Sequence, residues 1–344
     1  MFFQSPLLSM IDTSNQGSPQ TAPVAAEQGP SIAMITNPRS GGNRKGWDGI
    51  RNFLAGNRQI RHEEAVTPDQ VRAVLADFAS REVDLLVVNG GDGTVQSVLT
   101  ALYGQNLFRR PPVLALLRAG TTSMLARDVG VAGRPLAALE KIRDWRGPAA
   151  GGHDIEERSV LKLRQGADGQ NLCGMFFGAG AIPRGIELFH GQINPKGVRG
   201  EFFPGLILAR LLLAVFTGNE KLLPPAEMEI RVDGVPVPEN RYLFTLVSTL
   251  DRLFLGMHPY WGKEDAPLHF SAVRSKPPCL LRNLLYLMRG RRTRTASPEN
   301  GYFSRNARRI HFDFRGRFTL DGELFEAVAP LTVEPAGPAR FLKI

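Results

Sequence analysis

One pattern, used twice in succession, most constrains how this chain can fold: a short and wholly apolar run, a glycine turn, then an amphipathic stretch. The first copy, from Val83, reads VDLLVVNGGDGTVQSVLTALY, and the second, from Pro112, reads PVLALLRAGTTSMLARDVGV. An apolar run that does not alternate belongs to a strand buried on both faces, and such strands occur in parallel sheets covered by helices. The preceding sequence agrees. SIAMITNP reads as a buried strand that ends in the turn-rich RSGGN, Lys45 to Leu54 as a helix, and Ile60 to Val66 as a second strand. Thr67, Pro68 and Asp69 then supply the cap and first turn of a helix running through Ala79. Alternation of this kind predicts a doubly wound α/β domain, placed at residues 30–147.

Beyond Gly147 the pattern changes to short runs with β-branched and aromatic residues: SVLKLR, NLCGMFFGAG, MEIRV, YLFTLVST, LHFSAV, RIHFDF and FTLDG. Residues 148–344 are therefore expected to form a β-rich, sandwich-like domain, with helices near 198–216 and 278–289. Residues 1–29 read as a disordered tail, and the opening MFFQSPLLSM lacks the basic region of a cleaved signal. The most apolar later stretch, Phe202 to Phe216, is shorter than the ~20 residues needed to cross a bilayer and is broken by Pro204 and Arg210. No transmembrane helix is predicted.

A content of 43% hydrophobic residues in 344 is enough for two packed domains, and 42 Lys and Arg against 33 Asp and Glu give a net charge of +9. That balance suits an anionic partner such as phosphate, acidic lipid or nucleic acid. Nucleic acid is set aside, because no helix-turn-helix, aromatic RNA platform or zinc spacing accompanies the charge. Cys173 and Cys279 have no metal or redox spacing and read as buried or indifferent thiols, which makes a reducing, cytoplasmic setting the default.

The strongest chemical signal is Gly90-Gly91-Asp92-Gly93-Thr94, at the carboxyl end of one strand and the start of a helix. Ligands of open α/β sheets bind at that edge, where glycines let backbone amides approach phosphate oxygens and the helix N-terminus favours negative charge. A carboxylate among such amides repels phosphate unless a cation joins it, so Asp92 reads as touching Mg²⁺ or its waters. A tight strand-to-helix turn with Asp92 as its cap uses the same residues.

GGDGT is shared by diacylglycerol kinases, sphingosine-type kinases and NAD kinases, and three further motifs narrow the choice. Asn37-Pro38-Arg39-Ser40-Gly41 looks like an opening Asn-Pro-x-Ser-Gly. Gly120-Thr121 with Ala126-Arg127 and Gly130 is similar to Gly-Thr-x-Asn-Asp-x-Ala-Arg-x-Leu-Gly. Leu320-Asp321-Gly322-Glu323 resembles a terminal Asp-Gly-Glu that NAD kinases do not explain. Their order and spacing, from about residue 31 to the C-terminus, resemble the diacylglycerol kinase catalytic family. The resemblance implies ATP- and Mg²⁺-dependent transfer of a γ-phosphate to a hydroxyl of diacylglycerol or a related lipid. It places ATP at Asn37, Thr67, Gly90, Gly91, Asp92, Gly93, Thr94, Gly120 and Thr121, and assigns the general base to Glu323. It also implies Asp154 in the Mg²⁺ and water network, and a peripheral cation at Asp265 with the carbonyls of Gly262 and Pro267.

Departures from that pattern carry a second reading. Gln96-Ser97 stand where Asn-Glu is usual, Arg118-Ala119 precede Gly120, and Ser123 and Met124 replace an Asn-Asp pair. Ser123 keeps part of the asparagine's hydrogen bonding and Met124 none of the aspartate's charge. A catalytically impaired, membrane-associated lipid-binding protein would show the same changes. A lipid acceptor needs an apolar cleft, for which Phe202 to Phe216 is a candidate, although a core helix reads the same way. The stretch Lys276 to Arg294, KPPCLLRNLLYLMRGRRTR, has the mixture of a helix lying on the inner face of an anionic membrane, or of a solvated basic face. Oligomeric state stays open, a homodimer included.

Overall fold

A computed structural model describes residues 29–148, 154–166, 169, 171–192 and 225–344. The tail expected at 1–29, apart from its last residue, and the apolar stretch Phe202 to Phe216 lie outside the described residues.

The first region runs β1 (Ile32–Thr36), α1 (Asn43–Gly56), β2 (Ile60–Glu64), α2 (Pro68–Ser80), β3 (Leu85–Gly90), α3 (Asp92–Leu99), β4 (Val113–Arg118), α4 (Met124–Asp128) and α5 (Pro135–Arg143). Its strands are parallel, in the order β2-β1-β3-β4. Every residue of β1 and β3 is buried, as strands covered on both faces must be. Alternate residues separate the two faces. Met34, Val87, Ala115 and Leu117 pack with Leu139, Ile142 and Trp145, while Ala33, Ile35, Val88 and Leu116 pack with Leu75, Phe78 and Val98. From β1 the chain goes to β2 on one side and to β3 and β4 on the other. The switch point of the sheet therefore lies between the carboxyl ends of β1 and β3.

The second region is β-rich: β5 (Asp154–Gln165), β6 (Asn171–Gly174), β7 (Phe176–Gly180), α6 (Ala181–Gln192), β8 (Ala226–Val232), β9 (Val235–Pro236), β10 (Arg241–Ser248), β11 (Leu268–Arg274), α7 (Leu280–Leu287), β12 (Tyr302–Ala307), β13 (Ile310–Phe314), β14 (Arg317–Leu320), β15 (Glu323–Glu326) and β16 (Leu331–Lys343). The antiparallel order β12-β11-β10-β7-β14-β15 makes one layer. Phe177, Phe270, Phe312 and Phe318 fill the core beneath it.

The last strand crosses the boundary expected at 147/148. β16 pairs antiparallel with β5 along its length, and at its end Phe341 lies opposite Leu114 of β4, in parallel. Its apolar residues are divided accordingly. Leu331 and Val333 enter the second region's core, whereas Ala339, Phe341 and Leu342 enter the cores of the first. The joint also carries charge: Arg158 of β5 bonds Asp251 at 2.7 and 2.8 Å and pairs with Glu156, and Asp128 at the end of α4 accepts the Asp251 and Arg252 amides at 3.0 and 3.2 Å. Among the described residues no helix is long and apolar enough to cross a membrane. Cys173 is buried and its thiol is pushed up to about 12 by that burial, whereas Cys279 is exposed.

Candidate active site

Three turns meet at the switch point, and short hydrogen bonds hold them to one another. Asn37, just beyond β1, donates its amide to Asn89 O at 2.9 Å and its Nδ2 to Thr94 Oγ1 at 3.1 Å. Ser40 Oγ accepts the Gly91 amide at 3.1 Å, and Gly42 donates its amide to Ala119 O at 2.9 Å. The third turn approaches so closely that a Cβ on Gly120 would stand 2.8 Å from the Gly91 Cα, nearer than real Cβ contacts come. Asn37, Gly90 to Thr94, Gly120 and Thr121 are thus brought to one sheet edge. Thr67 follows the outer strand β2. There its hydroxyl accepts from the Gln70 amide at 3.3 Å while Gln70 Oε1 accepts the Thr67 amide at 3.3 Å, a capping box that starts α2.

Asp92 ties the second turn to the third. Its carboxylate accepts from Thr122 Oγ1 at 2.8 Å and from the amides of Met124 and Leu125 at 3.0 and 3.1 Å. It therefore occupies the N-terminal end of α4, which has no cap from its own Ser123 side chain. Ser123 takes a left-handed backbone, φ 46°, and its Oγ accepts the Gly120 amide at 2.9 Å, closing the turn on itself. Burial pushes the Asp92 carboxyl above its ordinary range, and the Met124, Thr122 and Leu125 donors with the Arg127 charge pull it back.

The second region delivers two more acids through the β14–β15 turn. Asp321 is buried, with a left-handed φ of 51°, and its carboxylate accepts the Met175 amide at 3.0 Å and the Phe176 amide at 2.8 Å. Burial pushes its carboxyl well above the usual range; the Met175 and Phe176 amides oppose that shift and the charge of Asp92 adds to it. The two aspartates, one from each region, thus feel one another. Glu323 is exposed, and its carboxylate lies over Gly93, where any side chain at position 93 would collide with it. The sequence reading singled out Glu323 and passed over Asp321, although Asp321 stands in the same motif. The available signal was its position between the apolar end of a strand and a glycine, which suits a carboxylate turned inward to cap amides.

The other departures from the family pattern also find partners. Gln96 is buried and donates to Thr100 Oγ1 at 3.0 Å; that hydroxyl accepts the Cys173 amide of β6 at 2.9 Å, so the pair links the two regions. Ser97 returns its hydroxyl to Gly93 O at 3.0 Å. Met124 packs its side chain on the first core and leaves only its amide to Asp92. Arg118, exposed at the end of β4, lines a cavity of about 430 Å³ with Arg127, Gly130, Ala132, Asp154, Lys343 and Ile344.

The expected metal ligands are not gathered. Asp154 lines that cation-rich cavity, and among the described residues no group of three or more acidic, His or Cys side chains is arranged to hold a metal. Asp265 lies in an exposed turn beside β12, where Glu264 rather than Asp265 accepts the Asn306 amide at 2.9 Å. Pairing of β5 with β16 sets Asp154 opposite Lys343, and the two lie with Arg118 at the carboxyl end of β4.

The candidate site thus joins glycine turns at the switch point of a parallel sheet to a carboxylate-bearing hairpin from the β-rich region. Residues 31–150 match the family model for the diacylglycerol kinase catalytic domain. A diacylglycerol kinase from Bacillus anthracis str. Sterne has the same fold, with a TM-score of 0.59 at 18% identity over 91% of this chain and 97% of that one. A candidate diacylglycerol kinase from the same organism gives 0.63 at 20% identity over 92% and 97%. At those identities the likeness establishes the fold alone. No curated protein matches the sequence significantly.

Proposed function

We propose that the protein transfers the γ-phosphate of ATP to a hydroxyl group of diacylglycerol or a related lipid. The observation that carries this reading is the meeting of two unlike parts: three glycine turns at a sheet switch point, and Glu323 from the other region poised over Gly93. The turns suit the phosphates, since the amides at the start of α3 face the sheet edge where anions bind. Asn37, Gly90, Gly91, Gly93, Thr94, Gly120 and Thr121 would line the nucleotide, with Thr67 at its outer margin.

In the reaction the acceptor oxygen forms a bond to the γ-phosphorus, the bond from that phosphorus to the bridging oxygen breaks, and ADP leaves. The hydroxyl proton passes to a carboxylate. Glu323 suits that base because it is exposed and its oxygens are not tied to amides, whereas both oxygens of Asp321 are. Mg²⁺ binds proteins through one or two carboxylates together with phosphate oxygens, and the mutually repelling Asp92 and Asp321 fit such a partial site better than an all-protein cage. When bound, it would neutralise charge on the transferring phosphoryl group.

A second reading is favoured by one observation: three donors already occupy the Asp92 carboxylate, and Met124 supplies no acid beside it. On that reading the protein binds lipid at a membrane without turning it over. The deciding experiment follows labelled γ-phosphate from ATP, with Mg²⁺, into a mixed lipid extract, beside the Asp92→Asn variant. A labelled lipid that disappears with the variant is the expected result. Copurifying lipid with no labelled product would leave the binding protein as the answer.

A further inference from the structure

Seven large apolar side chains are exposed among the described residues, and four of them fall in two segments that touch: Leu255 at 54%, and Leu281, Leu285 and Tyr286 of α7 at 41%, 59% and 49%. His258 donates its amide to Met288 O at 3.0 Å, and the backbone at Gly290 lies against His258 and Tyr260. Helix α7 is turned outward. It buries only Asn283 and Leu287, the latter against Val273, Ala296 and Tyr302, and shows the solvent Leu281 and Leu285 four residues apart, with Arg282, Tyr286 and Arg289 beside them.

The arrangement is held in place. Asn283 Oδ1 accepts from Thr293 and Thr295 hydroxyls at 2.6 and 2.7 Å, Tyr302 donates its hydroxyl to Pro278 O at 2.6 Å, and the Arg291 amide bonds Tyr286 O at 2.9 Å. Charge on this surface is predominantly positive, with Glu299, beside Arg292, an exposed acid at its border. Between residues 276 and 298 stand Lys276, Arg282, Arg289, Arg291, Arg292 and Arg294, with no Asp or Glu. The five arginines are exposed.

We infer that α7 and the 253–258 turn form a docking surface for an anionic lipid bilayer, with Leu255, Leu281, Leu285 and Tyr286 entering the acyl boundary and the arginines meeting lipid phosphates. Apolar tips ringed by arginine are the composition of an interfacial helix, and Tyr favours the headgroup level. A second copy of the chain is a poorer occupant, since a two-fold contact through this patch would set its arginines against one another. The surface lies at the β11–β12 edge of a layer whose opposite edge, β15, carries Glu323, five strand spacings or about 24 Å away. It therefore anchors the protein without touching the candidate catalytic groups. The inference rests on the lipid-kinase reading for its purpose, not for its measurement.

The test sediments the full chain with vesicles of phosphatidylcholine alone or with added phosphatidylglycerol, at low salt and at about 1 M salt, where surface charge is screened within about 3 Å. Binding is expected only to the anionic vesicles, and weaker at high salt. Removing Arg289 and Arg291 as alanines should weaken it about fivefold per arginine, and Leu285→Ser with Tyr286→Ser about tenfold or more. Turnover of a short-chain, water-soluble diacylglycerol should stay unchanged in both variants. Exposed Cys279, beside α7, should react with a thiol probe in free protein and be shielded by anionic vesicles. Variants that sediment like the parent protein, equal binding to phosphatidylcholine, or a Cys279 already unreactive in free protein would each overturn the docking surface. So would a fall in solution mass on Leu285→Ser, which would make the face a contact between copies. Phosphorylation of the soluble lipid without vesicle binding would sink this inference alone, and vesicle binding without phosphorylation would sink only the kinase reading.

Discussion

Asp92 and Asp321 reach the site from different regions and are held by different means. Asp92 comes from a strand-to-helix turn of the parallel sheet and is bound by a hydroxyl and two amides of the next turn in the same sheet. Asp321 comes from a hairpin of the β-rich region and is bound by the amides of Met175 and Phe176 at the start of β7, distant in sequence by 145 residues or more. The first contact is made within one β3–α3–β4 unit and needs only the parallel pairing of β3 with β4. The second exists only because β14 pairs with β7. A carboxylate held within its own supersecondary unit survives loss of the distant region's order, whereas one held across strands reports on the whole assembly.

The largest expected effect breaks the first of these. Asp92→Asn should lower turnover by about a thousandfold, the scale at which charged positioning at a phosphoryl site acts. It should also lower the melting temperature, because one carboxamide oxygen cannot serve both the Met124 and Leu125 amides. Turnover within a fewfold of the parent protein, measured by label transfer, would remove Asp92 from the reaction.

Next come the two hairpin acids, which a paired measurement separates. Glu323→Gln should lose about a hundredfold or more in kcat with ATP affinity kept, the contribution of a positioned base. Asp321→Asn should retain more activity than Glu323→Gln; the reverse ranking would transfer the base role to Asp321. Asp321 also carries a pH signature. Its folded carboxyl titrates above the unfolded range, so the folded state holds a proton more readily and unfolding free energy falls as pH rises through that raised value. Urea unfolding across pH should therefore show a shallower decline in Asp321→Asn, with Asp92 and Asp128, both raised by burial, accounting for what remains.

Gly93→Ala tests the contact between the regions directly. In an ordinary helix the change stabilises by about 1 kcal/mol, but here the methyl meets the Glu323 carboxylate. A lower melting temperature is expected, restored when Glu323→Ala is combined with it, and a double-mutant cycle measures the coupling. Additive effects would mean that the hairpin does not rest on the loop. The smallest effect is expected at Thr67→Ala. Loss of its cap should cost about 1 kcal/mol of stability, while an unchanged KM for ATP would confine Thr67 to starting α2.

Much of the first region was legible in the chain. Its strands are continuous apolar runs and its turns are glycine-rich, so the buried parallel sheet, the sheet edge and the loops at Asn37, Gly90 and Gly120 could be read from spacing alone. Strand β16 was not legible, because Pro335 and Pro338 interrupt its pattern and its two ends serve different cores. Helix α5 and strand β12 were missed for a related reason, since both are short and carry polar residues outward. The surroundings of Asp154 and Asp265 were not legible either, because position in a motif says nothing of which strands finally flank a turn.

What the sequence determined by itself was local: propensity, alternation and turn chemistry act within a few residues, and they suffice for the strands, the capped helix at Thr67 and the GGDGT turn. Which acids face one another was decided by tertiary structure alone. Pairing of β14 with β7 and of β16 with both β5 and β4 brings Asp321 within electrostatic reach of Asp92 and Glu323 over Gly93. Contacts between residues more than 200 positions apart depend on strand order and register, which burial of the whole core selects and no short stretch of chain encodes.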